Sequence, residues 1–242
     1  MWIWGFAAVV AIGILIGFTV AYIPMYAQKD HFSTGLILTP SRTYENSGYV
    51  LKEFDGFLSA NECDSLMQYC MGQKMEPSSV LSYGAKGDIS VDDNNRKSVT
   101  KWLRNEQHPV AQKMAEAAAV LSKQPIQNQE MLQVVKYDVG GKFNPHFDAC
   151  DIEEPEYKNR VNHGAGQRLA TLLVYLNDEY EGGETDFVEI GYKVKPQKGK
   201  AVFFWDTDNK EEIIPESRHM GCVVKGANKW IATKWVHPKM WK

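Results

Sequence analysis

The sequence is poor in cysteine, in excess charge of either sign and in repeated segments. Four cysteines in 242 residues are too few for the disulfide framework of a small secreted domain. A net charge of −3 gives none of the basic excess that nucleic-acid-binding proteins use to hold phosphates, so we expect no nucleic-acid partner. The content of hydrophobic residues (44%) and charged residues (24%) is typical of a globular protein, with room for one domain and an appendage.

Charged side chains are also missing from the amino terminus. Residues 1–28 contain none, and the apolar run from Trp2 to about Ala21 is long enough to span a bilayer. Aromatic residues that favour membrane interfaces flank this run. We predict a single-pass membrane anchor over 1–28. A cleaved signal peptide and a buried core helix are the alternatives, and the lack of a basic n-region argues against the signal peptide.

The rest of the chain divides by composition. We predict a linker (29–47), a helical and strand-containing support region (48–128) and a strand-rich domain (129–238). Within the support region, Ser59 followed by Glu62 forms a capping box that predicts a helix start. A second, alanine-rich helix is expected from Pro109 to Ser122. The polar, glycine-containing segment 78–98 is a candidate mobile loop over a binding site.

Short apolar runs separated by turn residues fill the last part of the chain. We expect strands from Leu132 to Tyr137, from Arg168 to Leu176 and from Ala201 to Trp205. Several short strands at this spacing favour an antiparallel sandwich or barrel over a parallel sheet.

The segment His146-Phe147-Asp148 is the most informative motif of the chain. Residues two apart on an extended segment project to the same face, so the imidazole and the carboxylate point together. A second histidine, His219, stands alone further along the chain. Two imidazoles and one carboxylate can occupy one face of an octahedral iron(II), leaving positions open for a co-substrate and O2. We therefore predict His146, Asp148 and His219 as metal ligands, with His163 as the competing histidine.

Lys229 follows His219 in what we predict to be a β-hairpin, with strands 218–225 and 229–236. A three-residue loop at Gly226-Ala227-Asn228 would place residue 219 opposite Trp235. Lys229 and Trp235 would then share the face of His219. The pattern predicts that both residues line the metal cavity.

Together these motifs resemble the prolyl 4-hydroxylases that use iron and 2-oxoglutarate, in particular their collagen-type and plant or algal branch. The matching elements are Tyr137-Asp138-Val139-Gly140-Gly141, Pro145-His146-Phe147-Asp148, Gln167-Arg168, Gly182-Gly183-Glu184-Thr185, Arg218-His219 and Asn228-Lys229-Trp230. The resemblance implies an α+β, mainly-β fold: a double-stranded β-helix, or jelly roll, with supporting N-terminal helices. It implies Fe(II), 2-oxoglutarate and O2 as cofactor and co-substrates, and ascorbate as a reductant.

The resemblance also implies roles for individual residues. Lys229 would bind the distal carboxylate of 2-oxoglutarate, a role that suits a compact ammonium. The other residues implied are Tyr137 and Thr185 for the co-substrate, and Arg168, Trp235 and His237 for the peptide groove. Phe143 stands where relatives often carry tyrosine, which removes a hydroxyl from the substrate side.

The activity implied is 4-hydroxylation of peptidyl proline in proline-rich or collagen-like sequences, with succinate and CO2 as co-products. A monomeric catalytic domain, tethered to a membrane and lying in the lumen of the endoplasmic reticulum, is expected. Two alternatives stay open. One is a hydroxylase of the same iron class that acts on lysyl residues or a small molecule, and the other is a metal-free sandwich that serves as a binding module without catalysis.

Overall fold

Antiparallel strands account for most of the regular structure. The computed structural model describes residues 36–46, 48–81, 89–92, 94–151 and 162–242. The strands are β1 (Arg42–Asn46), β2 (Tyr49–Phe54), β3 (Glu76–Pro77), β4 (Val80–Leu81), β5 (Ile89–Ser90), β6 (Val99–Leu103), β7 (Leu132–Tyr137), β8 (Phe143–His146), β9 (Ala170–Tyr175), β10 (Glu181–Gly182), β11 (Thr185–Phe187), β12 (Tyr192–Val194), β13 (Ala201–Trp205), β14 (His219–Gly221), β15 (Val224–Lys225) and β16 (Lys229–Val236). The helices are α1 (Ala60–Met71) and α2 (Pro109–Ser122), with short 3-10 turns at Asn105–Gln107, Ile126–Asn128 and Pro215–Ser217.

Two sheets form a sandwich. The larger has the strand order β1-β2-β13-β9-β16-β7-β6-β3, and the smaller has the order β12-β11-β14-β8. Apolar residues of both sheets pack between them, including Val135, Phe187 and Phe204. Two further ribbons pair β10 with β15 and β4 with β5. The expectation of a mainly-β, antiparallel fold with supporting helices is therefore confirmed.

Strand β16 shows how the large sheet serves two cores. All eight of its residues are buried, and successive side chains point to opposite faces. Trp230, Ala232 and Val236 pack with the helices on one face. Lys229, Ile231, Thr233 and Trp235 line a cavity on the other face.

The two helices begin where the sequence predicts. The Ser59 hydroxyl and the Glu62 carboxylate make the reciprocal bonds of a capping box at the start of α1. Helix α2 has Pro109 in its first turn, where the missing N–H costs nothing, and buries alanines such as Ala117 and Ala118 in the core on the outer face of the large sheet. Small side chains let this helix lie close to the strands.

The predicted hairpin between His219 and Lys229 is wrong. Strand β14, which carries His219, pairs with β11 and β8 of the small sheet. Strand β16, which carries Lys229, pairs with β7 and β9 of the large sheet. The chain between them passes through β15, which pairs with β10. The expectation that Lys229 and Trp235 line the metal cavity still holds, because β16 faces β14 across the sandwich.

Elements of the large sheet lie on both sides of the predicted domain boundaries. Residues Arg42–Asn46, placed in the linker, form the edge strand β1. Strands from the support region extend the same large sheet as those after 129, so the two regions share one core. In the loop 78–98, short strands β4 and β5 pair with each other. Among the described residues no helix has the length and apolarity to cross a membrane, and the predicted anchor 1–28 lies outside them.

Candidate active site

Two strands of the small sheet bring the predicted metal ligands together. His146 ends β8 and His219 begins β14, and the two are directly paired across the antiparallel ladder. Their ring centroids are 4.4 Å apart. Asp148 follows β8 and places its Oδ1 3.7 Å from His146 Nε2 and its Oδ2 3.9 Å from His219 Nε2. One ligand atom of each residue lies within 4.8 Å of the others.

Both histidines are oriented by backbone carbonyls. The carbonyl of Asn144 lies 2.8 Å from His146 Nδ1, and that of Ser217 lies 2.9 Å from His219 Nδ1. A carbonyl only accepts, so each Nδ1 carries a proton and Nε2 is the ring nitrogen that faces the centre. Burial, followed by the neighbouring His219, lowers the pKa of His146 to about 3 and keeps it neutral. Two such nitrogens and a carboxylate are a donor set that suits iron(II).

The Asp148 carboxylate is held in its ionised form. Burial alone would raise its pKa, but the nearby His219, His146 and Arg168 outweigh burial and lower the pKa to about 2. The Thr171 hydroxyl lies 2.7 Å from Asp148 Oδ2, and Arg168 Nη1 donates to the Asp148 backbone carbonyl at 3.0 Å.

A glycine pair and an aromatic stack shape the approach to His146. Gly140 has a φ of +81°, and a side chain at Gly141 would meet the carbonyl oxygens of Asp138 and Lys97 at 2.7 and 2.9 Å. Only glycine allows the backbone at Lys97 to approach this turn so closely. The Phe143 ring then stacks on the His146 ring with centroids 3.5 Å apart. The residue that departs from the family pattern thus packs against a predicted ligand.

Behind the metal position, Lys229 lies in a narrow cavity between the sheets. It is paired with Tyr137 across β16 and β7, and its Nζ is 5.2 Å from the centre of the tyrosine ring. The ammonium donates to the Gly183 carbonyl at 2.7 Å. Burial lowers its pKa to about 8, and nearby Cys222 and Glu184 offset this only in part. A buried ammonium with further free donors fits an anionic ligand such as a dicarboxylic acid.

Thr185 reaches the same cavity from the small sheet. The Tyr175 hydroxyl donates to Thr185 Oγ1 at 2.6 Å, and the Thr185 amide donates to the Tyr175 hydroxyl at 3.2 Å. These bonds fix the Thr185 hydroxyl, which lines the cavity with the apolar side chains of Leu173 and Ile231. The three predicted co-substrate residues, Tyr137, Thr185 and Lys229, therefore surround one space.

On the open side of the metal position lies a groove of about 780 Å³. Its lining includes His146, Asp148, Trp102, Met131, Arg168 and Trp235. The Arg168 guanidinium stacks over the Trp235 ring at 3.7 Å and makes two hydrogen bonds to Glu130. Arg168 and Trp235 thus lie where a substrate in the groove would touch them.

The structure places His237 elsewhere than we predicted. Its side chain is 0% exposed and bonds to Glu130 Oε1 at 3.0 Å and to the Gly166 carbonyl at 2.9 Å. It does not line the groove itself but contacts Glu130 and Trp241, which do. The competing histidine, His163, is exposed and packs on the Trp241 ring, apart from the three ligands.

Sequence reasoning missed Glu130, Thr171 and Asp206. Glu130 is buried under Arg168 and His237. Burial opposes the ionisation of Glu130, but these two partners lower its pKa to about 2. Thr171 lies between the carboxyls of Asp148 and Asp206, at 2.7 Å from each. The available signal was a polar residue in or directly after an apolar strand, as in Thr171 of β9 and Asp206 after β13.

This fold and site define an oxygenase of the iron and 2-oxoglutarate class. The family model of the 2OG-Fe(II) oxygenase superfamily matches residues 132–237. The chain belongs to the prolyl 4-hydroxylase family. A probable prolyl 4-hydroxylase 6 of Arabidopsis thaliana is 31% identical over 242 residues, covering 92% of this chain and 80% of the relative.

An animal relative and a viral structure are also similar to this chain. Prolyl 4-hydroxylase subunit alpha-1 of Bos taurus is 37% identical over 159 residues, covering 66% of this chain. This chain spans 29% of the length of that animal relative. The crystal structure of a viral collagen prolyl hydroxylase from Paramecium Bursaria Chlorella virus-1, a 2OG complex, superimposes with a TM-score of 0.61 at 31% identity. The match covers 77% of this chain and 94% of the viral one.

Proposed function

We propose that this protein 4-hydroxylates proline residues in proline-rich or collagen-like peptides, using iron(II), 2-oxoglutarate and O2. The observation that carries the proposal is the position of the three ligand atoms. They lie between a wide, aromatic groove and a narrow inner cavity with a buried lysine. A groove on one side and a cavity that can bind an anion on the other suit a reaction with a large substrate and a small acidic co-substrate.

Each cofactor matches residues of the chain. His146, Asp148 and His219 would hold iron(II), and Lys229, with Tyr137 and Thr185, would hold 2-oxoglutarate. When bound, the metal and the keto acid supply the oxidising power that hydroxylates an unactivated C–H bond, and 2-oxoglutarate leaves as succinate and CO2. Ascorbate would serve as the reductant that keeps the iron in its ferrous form.

The protein contributes orientation and exclusion of water. Leu173 and Ile231 line the inner cavity, and β16 closes it on the side of the large sheet. The neutral His146 and the ionised Asp148 need no proton transfer before the metal binds. A dry, preformed site protects the enzyme from unproductive oxidation.

The groove suits an extended peptide. A polyproline II segment is already ordered, so it loses little conformational entropy on docking. Trp102 and Trp235, with ring centroids 5.9 Å apart, offer flat surfaces for pyrrolidine rings. The Arg168 side chain, fixed by Glu130, presents a donor-rich edge beside them. Free proline would forgo these flanking contacts.

A comparison of three substrates tests this proposal. Free proline, a proline-rich peptide and a lysine-containing peptide without proline would each be incubated with iron(II), 2-oxoglutarate and O2. We expect an oxygen gain on the proline-rich peptide and little on free proline. Oxygen gain on the lysine peptide alone would favour lysyl hydroxylation. Absence of both metal binding and succinate formation on any substrate would favour a metal-free, non-catalytic binding module.

We also propose that residues 1–28 tether a monomeric catalytic domain to a membrane, with that domain in the secretory lumen. The support is the uncharged apolar run and its interfacial aromatic residues. Expression of the full chain and of a chain lacking 1–28, followed by alkaline carbonate extraction of membranes, tests the tether. Release of the full chain by carbonate would contradict it.

A further inference from the structure

A buried carboxyl group lies one side chain away from the predicted metal ligand. Asp206 directly follows β13 and is 0% exposed. Its Oδ2 is 2.7 Å from Thr171 Oγ1, and the same hydroxyl oxygen is 2.7 Å from Asp148 Oδ2. Among the described residues, Asp206 Oδ1 has no hydrogen-bond partner. The proposed reaction gives Asp206 no role.

The number of protons sets the direction of these two hydrogen bonds. Thr171 has one hydroxyl proton and can donate to only one of the two carboxyl groups. Asp148 must be a carboxylate to bind a metal, so it accepts. The second bond then needs a proton from Asp206, as O–H to Thr171 Oγ1. A neutral acid also tolerates an unpartnered, buried Oδ1 better than a carboxylate does.

The surroundings of Asp206 support its neutral form. Burial, followed by the nearby charge of Asp148, raises its pKa well above the usual value, against smaller effects of Thr171 and Arg168. The direction of the shift agrees with the proton count.

No β-strand fixes the position of Asp148. It lies in a bend after β8, outside any strand, so the sheet does not fix its carboxylate. Thr171, by contrast, is held in β9 opposite Phe204 of β13, and the Asp206 amide donates to the Leu169 carbonyl at 2.8 Å. Thr171, anchored in the large sheet and bonded to Asp206, therefore reaches across to one oxygen of the Asp148 carboxylate.

We propose that Asp206, acting through the Thr171 hydroxyl, positions the Asp148 carboxylate and so sets the metal affinity of the site. Asp206 is a positioning residue, since it touches neither metal nor substrate. The inference rests on the metal site of the proposed function, but concerns binding and not turnover. Groups that orient a metal ligand are worth roughly 10- to 100-fold in metal affinity.

Cobalt(II) binding to the metal-free full chain tests the proposal, with the visible absorption of the bound ion reporting both affinity and coordination. Thr171→Val removes the hydroxyl at nearly constant shape, and Thr171→Ser keeps it. Asp206→Ala removes the donor, and Asp206→Asn keeps a neutral N–H donor. Ser122→Ala, which deletes a buried hydroxyl in α2 bonded to Ala118, is the matched control.

We expect the dissociation constant for cobalt(II) to rise about 10- to 100-fold in Thr171→Val and Asp206→Ala, with an altered spectrum. Thr171→Ser, Asp206→Asn and Ser122→Ala should stay within about threefold of wild type, by the same reasoning. Far-ultraviolet circular dichroism of each metal-free variant reports folding. If Thr171→Val does not fold, the contrast between Asp206→Ala and Asp206→Asn decides.

Two results would overturn this inference and leave the proposed function standing. One is wild-type cobalt affinity and spectrum in Thr171→Val, and the other is Asp206→Asn as weak as Asp206→Ala. Failure of the wild-type protein to bind cobalt(II) would instead remove the metal site, and with it both the proposed function and this inference.

Discussion

Tyr137 and Lys229 face each other across neighbouring antiparallel strands, and the lysine ammonium lies 5.2 Å from the centre of the tyrosine ring. This pairing places a cation at the closed end of the metal cavity, where the two sheets exclude water. The same strand carries a second buried lysine, Lys234, on its opposite face, where its Nζ donates to Asn105. Strand β16 thus carries both the lysine proposed to bind 2-oxoglutarate and a second buried lysine whose substitution can serve as a control.

Replacing Lys229 should weaken 2-oxoglutarate binding selectively. Loss of one partner of a buried charge pair costs about 2–5 kcal/mol, so Lys229→Ala should raise the KM for 2-oxoglutarate by roughly 100-fold. The KM for peptide should change by less than about threefold on the same reasoning, because the lysine does not line the groove. Steady-state kinetics with each substrate varied in turn measures both values.

Lys234→Met controls for the loss of a buried lysine from β16. Because Lys234 faces the helices, this variant should keep the wild-type KM for 2-oxoglutarate. Equal effects of the two substitutions would show that Lys229 acts through strand stability and not through the co-substrate.

The pH dependence of co-substrate use should report the same lysine. Burial lowers the pKa of Lys229 to about 8, and only its protonated form pairs with a carboxylate. The value of kcat/KM for 2-oxoglutarate, which reflects the free enzyme, should therefore fall about tenfold per pH unit above pH 8. Lys229→Arg keeps its charge and should remove this decline. An unchanged decline in Lys229→Arg would assign the titration to another group.

The three predicted metal ligands should each be essential. His146→Ala, Asp148→Ala and His219→Ala should abolish succinate formation, because each removes one of three protein ligands. Asp148→Glu should also impair activity strongly, since an added methylene displaces the carboxylate. His163→Ala is the matched control and should keep succinate formation, because His163 lines the groove but is not among the three clustered ligand residues. The opposite pattern, activity retained in His219→Ala and lost in His163→Ala, would show that the distal ligand is misassigned.

Loss of Glu130 should destabilise the protein and disturb the groove. Its buried carboxylate lies under Arg168 and His237, so Glu130→Ala takes the acceptor away from a half-buried guanidinium and a buried imidazole. Breaking a buried ion pair in this way costs about 3–5 kcal/mol of unfolding free energy. Thermal and denaturant unfolding should show this loss. A lower unfolding free energy in Glu116→Ala, on the exposed side of α2, than in Glu130→Ala would contradict the assignment.

His237 should affect peptide binding indirectly. It bonds to the same Glu130 oxygen as Arg168, so His237→Ala should raise the KM for peptide without altering the KM for 2-oxoglutarate. Arg168→Ala should have a larger effect of the same kind, because Arg168 itself lines the groove. A larger effect from His237 than from Arg168 would point to direct contact between His237 and substrate.

Local patterns in the sequence predict the main helices and strands. They also predict that the side chains of His146 and Asp148, two residues apart, point together. The strands at 132–137 and 201–205 and the helix at 109–122 lie where hydrophobic period and capping residues predict them. These signals are local, since each depends on neighbours within a turn or a few residues.

The pairing of strands that are far apart in the sequence was harder to predict. We expected β14 and β16 to pair because they are close in sequence, but His219 is paired with His146 and Lys229 with Tyr137. Such partners are set by the fit of two sheets around a shared core, which no local pattern encodes. The hydrogen bonds that link Asp206, Thr171 and Asp148 were not predicted for the same reason.

Tandem mass spectrometry of a proline-rich peptide tests the central claim most directly. The peptide would be incubated with the full chain, iron(II), 2-oxoglutarate and isotopically labelled dioxygen, with His219→Ala as the inactive control. We predict one labelled oxygen at C4 of a proline residue, matched by an equal amount of succinate, and neither product with the variant. Succinate without a hydroxylated proline, or a labelled oxygen on another residue, would contradict prolyl 4-hydroxylation.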